Sequence, residues 1–120
     1  MKIIKRQLGS KGPEVGCLGY GAMVLEGYYG TVEEQQAIKT IRHALDLGMD
    51  LIDSADAYGE GHNEQLIAKA IAGRRDDVFV STKFGIVFDG NEPGTELQTG
   101  WGFSLKINGA PSYARRALDN

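Results

Sequence analysis

Residues 31–53 read TVEEQQAIKTIRHALDLGMDLID, and the order within this stretch decides the fold class. Thr31-Val32-Glu33-Glu34 has the form of a capping box. The Thr31 hydroxyl can accept from the third helical N–H, and Glu34 can reach back to the cap. Behind it Ala37, Ile38, Ile41, Ala44 and Leu45 recur at the helical period, which predicts a helix over about 32–47. Gly48 stands where a left-handed C-cap belongs. Met49-Asp50-Leu51-Ile52-Asp53 follows with almost no loop. A short apolar run in that position is expected to be a buried parallel strand.

The pattern extends in both directions. Residues 3–8 and 14–18 are expected to be extended, joined by a hairpin turn at Gly9-Ser10-Lys11-Gly12-Pro13. Gly19-Tyr20-Gly21 looks like the end of a short buried strand running into a loop. On the other side, Asn63 is placed to cap a second helix reaching about Ile71, with Leu66, Ile67, Ala70 and Ile71 as its apolar face. Gly73-Arg74-Arg75-Asp76-Asp77 is a solvated turn. Val78-Phe79-Val80-Ser81-Thr82 is a third strand, dense in β-branched and aromatic residues. Residues 85–110 hold six glycines and no period, and are expected to be a long loop. A last helix begins at Pro111-Ser112-Tyr113. The order hairpin, β, α, β, α, β predicts an α/β fold with parallel strands and right-handed crossovers.

Composition excludes several classes. With 120 residues, 13 Lys plus Arg against 16 Asp plus Glu, and 42% hydrophobic residues, the chain reads as an ordinary globular one. A net charge of −3 gives no footprint for nucleic acid or an anionic membrane surface. Met1-Lys2-Ile3-Ile4-Lys5-Arg6 turns polar too early for a secretory leader, and no apolar run reaches the roughly 18 residues of a membrane helix. The expected location is therefore the cytoplasm. Cys17 is alone, so neither an intrachain disulfide nor a cysteine metal cage can form; it is expected to be buried filler in a reducing compartment.

Polar groups collect where strands end. Asp53 closes the second parallel strand, Tyr58 lies five residues on, and Lys83 closes the third. In parallel α/β layouts those ends share the ligand-binding face. A phenol with a pKa near ~10 is a poor proton donor at neutral pH, and an adjacent ammonium improves it. A carboxylate beside the lysine keeps it charged and in place. Such a trio suits protonation of a carbonyl oxygen while hydride from a cofactor reaches the carbon. Spacing alone leaves a second reading open: a structural Asp–Lys pair with a tyrosine in a surface turn.

Several motifs carry a family resemblance in order. Asp53-Ser54-Ala55-Asp56-Ala57-Tyr58-Gly59-Glu60-Gly61-His62-Asn63-Glu64 resembles the signature loop of the aldo-keto reductases. Ser81-Thr82-Lys83-Phe84-Gly85 resembles their lysine strand. Arg6-Gln7-Leu8-Gly9, Leu18-Gly19-Tyr20-Gly21-Ala22-Met23 and Ala44-Leu45-Asp46-Leu47-Gly48-Met49 resemble the opening hairpin, the first barrel strand and the end of the first helix. The resemblance implies a (β/α)8 TIM barrel that reduces aldehydes and ketones with NADPH. This chain would be its N-terminal portion, an incomplete single domain of hairpin plus about three βα units. It implies Tyr58 as proton donor, Lys83 as the group that tunes it, and Asp53 as the lysine's partner near the nicotinamide. Gly21 and Met23, with Asp53, are expected at the cofactor site.

The resemblance also implies a catalytic histidine on a fourth barrel strand, which would lie past Asn120. Most of the dinucleotide grip would lie there too. The isolated chain is therefore expected to be inactive and to self-associate through open barrel edges. A non-catalytic fragment that binds a partner is the alternative. His62 is expected to be a solvated loop residue, and His43 to face solvent. Tyr28 and Tyr29 either wall a substrate pocket or pack within loops, and Trp101 and Phe103 either cover a substrate or lie in a disordered loop.

Overall fold

The structure, a computed structural model, describes residues 3–119 and divides into two units, Met1–Thr82 and Lys83–Asn120. Met1 and Lys2 of the leader reading, and Asn120, lie outside the described residues.

The first unit opens with strands β1 (Lys5–Gln7) and β2 (Glu14–Gly16), antiparallel with Arg6 opposite Val15. Asp50, buried just ahead of the short strand at residues 51–53, fastens this hairpin. Its Oδ1 accepts from the Gly16 N–H at 2.6 Å and its Oδ2 lies 2.6 Å from Lys5 Nζ. The approach is close enough that a Cβ on Gly16 would sit 2.2 Å from the Gly48 carbonyl oxygen, so only glycine fits. Burial works against ionising Asp50, but the Gly16 N–H and the Lys5 ammonium outweigh it and hold the carboxyl below its usual value.

A group with a depressed folded pKa contributes stability above its unfolded value, near ~3.9, and loses it as pH falls through the folded one. Asp50→Ala should cost about 1–3 kcal/mol at neutral pH, since the Gly16 donor and the Lys5 ammonium lose their shared acceptor. The gap from the parent should close as the pH drops below ~4. Urea unfolding midpoints compared at one chain concentration would check it. A gap that persists undiminished at acid pH would mean the carboxylate is not its source.

Strands β3 (Tyr20–Gly21), β4 (Leu51–Asp53) and β5 (Phe79–Ser81) form a parallel sheet in that order. Helices α1 (Glu34–Leu47) and α2 (His62–Ala70) supply the crossovers. The core lies between helices and sheet, where Ile41, Ile52 and Leu66 are fully buried and Leu45, Ile67 and Val78 nearly so. The predicted order of elements is observed. Gly48 caps α1 in the left-handed region at φ 97°, its N–H reaching the Ala44 and Leu45 carbonyls.

Four local expectations are corrected. The α1 cap is Glu33, not Thr31: both Glu33 carboxylate oxygens take backbone N–H groups, from Gln35 and Gln36. A carboxylate there also meets the positive end of the helix dipole, which a hydroxyl cannot match. Gly61 caps α2, and Asn63 lies inside that helix with its amide engaged elsewhere. The Gly19-Tyr20-Gly21 strand is more open than expected: Tyr20 is half-buried and Gly21 exposed. Cys17 is exposed, because β2 ends at Gly16 and the chain turns outward there.

In the second unit, β6 (Thr95–Gln98) and β7 (Ser104–Ile107) pair antiparallel, with Leu97 opposite Leu105, and α3 (Pro111–Asp119) follows. A long loop was expected here. Thr99 makes the hairpin, its Oγ1 accepting from the Trp101 N–H and donating to the Phe103 carbonyl. The Tyr113 hydroxyl donates to the Ile86 carbonyl at 3.1 Å, and Arg116 pairs with Glu92. Trp101, 83% exposed, stacks on Phe103 near the hairpin tip. Among the described residues no helix is long and apolar enough to cross a membrane.

Candidate active site

The site is built on register. Gly21 stands opposite Asp53 and Asp53 opposite Ser81, so the carboxyl ends of β3, β4 and β5 present one row of three residues. Parallel strands direct their final residues to a common face, and open α/β sheets bind ligands there. Ser81 Oγ donates to Asp53 Oδ1 at 3.2 Å, and the Ser54 N–H donates to the Ser81 carbonyl at 2.8 Å. Asp53 is half-buried, Gly21 exposed, and Met23 half-buried in the 3-10 turn Ala22–Glu26 that leaves β3.

Tyr58 sits in the loop that leaves β4, half-buried, with its N–H on the Ala55 carbonyl at 3.1 Å. Its ring meets Tyr28 edge-on, centroids 6.5 Å apart and planes at 68°. Tyr28 thus packs against another loop aromatic, and both it and Tyr29 stay exposed. Three consecutive left-handed residues follow: Gly59 at φ 62°, Glu60 at 52° and Gly61 at 91°. Holding a glutamate in that region stores strain of order 1 kcal/mol. Gly59 has no room for a side chain, since a Cβ would lie 2.3 Å from Glu26 Oε2.

Lys83 is the first residue of the second unit and exposed, two positions along the chain from Ser81. Within the first unit, Asp53, Gly21 and Met23 cluster at the strand ends, and the Tyr58 loop springs from the same β4 end.

His62 is exposed, as expected, but it is the first residue of α2 and not a loop residue, with Nδ1 at 3.1 Å from both Glu26 carboxylate oxygens. His43 is exposed, as expected. Four residues of the site escaped the sequence reading. Ser81 supports Asp53. Half-buried Glu26 and buried Ser54 and Asn63 form a hydrogen-bonded polar cluster beside the Tyr58 loop. Ser54 and Asn63 are both fully buried, and an Asn-Glu pair at a helix start gives no local hint of that. Among the described residues no group of acidic, histidine or cysteine side chains could hold a metal ion.

Known proteins resemble this chain in sequence and fold. The model of the Aldo/keto reductase family matches residues 17–119. The aldo-keto reductase yakc [NADP(+)] of Schizosaccharomyces pombe is 36% identical over 121 residues, which is 99% of this chain and 32% of that protein. The holo form of an aldo-keto reductase from Bacillus halodurans superposes with a TM-score of 0.76 at 32% identity, over 98% of this chain and 34% of its own. An aldo-keto reductase from Klebsiella pneumoniae in complex with NADPH superposes at 0.57 with 26% identity, over 68% of this chain and 28% of its own. The chain thus spans about a third of the length of the relatives it matches.

Proposed function

We infer the function from the family: the chain belongs to the aldo/keto reductases, and its fold is that of a partial (β/α)8 barrel. We propose that it carries the proton-donating half of an active site that reduces a small aldehyde or ketone to an alcohol with NADPH, in the cytoplasm. The observation that carries this reading is the Gly21–Asp53–Ser81 row with the Tyr58 loop rising from its centre. Two relatives name the cofactor: the yeast enzyme is designated for NADP(+), and the Klebsiella enzyme is complexed with NADPH.

The residues present suit such a ligand. A Cβ added to Gly21 would meet nothing within 4 Å, so the space beside this strand end is open to a ligand. Gly21, Met23 and Asp53 would hold the nicotinamide end, which supplies hydride when bound. The chain's own part is the proton. Tyr58 holds it at Oη and releases it to the carbonyl oxygen. The Lys83 ammonium stabilises the charge that develops on the phenol oxygen as the proton leaves. Asp53 keeps that ammonium charged, and Ser81 Oγ steadies one of its carboxylate oxygens at 3.2 Å. Tyr28 meets the Tyr58 ring edge-on and so helps fix its orientation.

A second reading has one observation in its favour. All three β5 residues are exposed, as in a surface that another element covers. On that reading the 120 residues alone form a non-catalytic piece that docks to a partner. The two are separated by placing residues 1–120 in exchange for the matched third of the Schizosaccharomyces pombe relative. That chimaera should oxidise NADPH with a panel of small aldehydes, and the 120 residues alone should not. A folded, NADPH-binding chimaera without turnover would sink the catalytic reading. Turnover by the short chain, abolished by Tyr58→Phe, would sink the claim that it is inactive by itself.

A further inference from the structure

Asn63 is fully buried, yet it does not cap its helix and lies next to Leu66 and Ile67 of the apolar core. A buried amide in that setting is costly unless every polar atom is bonded. Here every one is. Oδ1 accepts from Ser54 Oγ at 2.8 Å. Nδ2 donates to the Ala22 carbonyl at 2.9 Å and to Glu26 Oε1 at 2.9 Å. The backbone N–H donates to the Tyr58 carbonyl at 3.2 Å. Only one amide orientation satisfies this set, with the oxygen toward a hydroxyl and the nitrogen toward two acceptors.

Those four partners are not scattered. Ala22 follows Gly21, Ser54 follows Asp53, and Tyr58 is the expected proton donor. Glu26 ends the turn that carries Met23, and also holds His62 and abuts Gly59. One residue therefore joins the Tyr58 carbonyl, through its backbone N–H, to both strand ends of the expected cofactor floor, through its side-chain amide. A leucine of similar bulk would keep the backbone bond to Tyr58 but lose the side-chain bonds to Ala22, Glu26 and Ser54 that anchor it.

We propose that Asn63, braced by Glu26 and Ser54, is the positioning residue that sets Tyr58 relative to the Gly21–Asp53 floor. This rests on the reductase reading given above. Reaction geometry is demanding: a displacement of ~1 Å can reduce a rate about 10²-fold. In the chimaera, Asn63→Asp turns a donor into a carboxylate facing the Ala22 carbonyl and the Glu26 carboxylate. It should lower kcat per NADPH-binding site about 10²-fold. NADPH Kd should change by less than about threefold, because one floor contact is a small share of a dinucleotide's grip. Glu26→Gln added to Asn63→Asp restores a donor at that contact and should recover about tenfold of the loss, the worth of one charge-assisted hydrogen bond.

Amide exchange of residues 54–60 should quicken in Asn63→Asp while residues 34–47 of α1 keep their rates. Should Asn63→Asp fail to fold, Ser54→Ala removes one of the bonds and should lower kcat roughly fivefold. Unchanged kcat per binding site in the folded variants would make the amide merely structural and overturn the proposal. So would kcat and affinity falling together by one factor, which would assign Asn63 to the cofactor floor instead. If the parent chimaera folds but does not turn over, the reductase reading fails. The exchange result then still tests the brace itself: unchanged rates at 54–60 would overturn it, and faster ones would show that the Asn63 side chain holds the Tyr58 loop in place.

Discussion

Tyr58→Phe in the chimaera should lower kcat by about 10²–10⁴-fold, the range for loss of a positioned general acid, with little change in NADPH affinity. The substitution removes one oxygen and leaves the ring that meets Tyr28, so packing in the loop is retained. The loop's shape comes from elsewhere: the left-handed run Gly59-Glu60-Gly61 and the Asn63 N–H on the Tyr58 carbonyl do not depend on the phenol. Lys83→Met is the companion. It should disable reduction more than binding, because the ammonium acts on the developing phenolate. NADPH oxidation gives the rates, and fluorescence titration the affinities. If either variant lost rate and affinity by the same factor, the roles assigned to Tyr58 and Lys83 would be wrong.

What was legible in the sequence was local or periodic. Helix α1 was legible because five apolar residues keep the 3.6 period and Gly48 ends it, and both signals lie within one element. The strand order was legible because helix and strand patterns alternate with short connections, which leaves few topologies. The expected positions of Gly21 and Asp53 at strand ends were confirmed by their pairing in register. Three things were not legible, each for a physical reason. The β6–β7 hairpin carries almost no alternation, since all four β6 residues are exposed and a solvated strand has no face to pattern. The cap of α1 depended on whether the helix started behind Thr31 or behind Glu33, whose carboxylate takes the Gln35 and Gln36 N–H groups, and both fit the spacing rules. The role of Asn63 rests on Ala22 and Glu26, 41 and 37 residues away, and no local pattern encodes such contacts.

The 120 residues on their own should not behave as a rigid monomer. In the sheet β3-β4-β5 the outer strands β3 and β5 have no further neighbour among the described residues. Each offers a line of backbone N–H and C=O groups that templates pairing with another chain. A closed barrel abolishes such edges, and a third of one cannot. Apolar side chains stand out beside them: Leu18 is 56% exposed, Phe79 40% and Val80 36%. Phe79 and Val80 alternate along β5, so both faces of that strand are open, not the outer one alone. A patch of this kind marks an interface or an aggregation hazard. The hairpin β1–β2 offers no relief, because Lys5 and Gly16 fasten it to Asp50 at the opposite end of β4 from Asp53. A net charge of −3 opposes association only weakly. Size-exclusion chromatography with light scattering should therefore find oligomers or aggregate, and amide exchange in 78–82 should be fast wherever monomer persists. Joining the same residues to the remainder of the Schizosaccharomyces pombe relative should cover both edges and return a defined species. A monodisperse 13.0 kDa monomer with strongly protected amides in residues 15–21 and 78–82 would show that the open edges are closed by some other means.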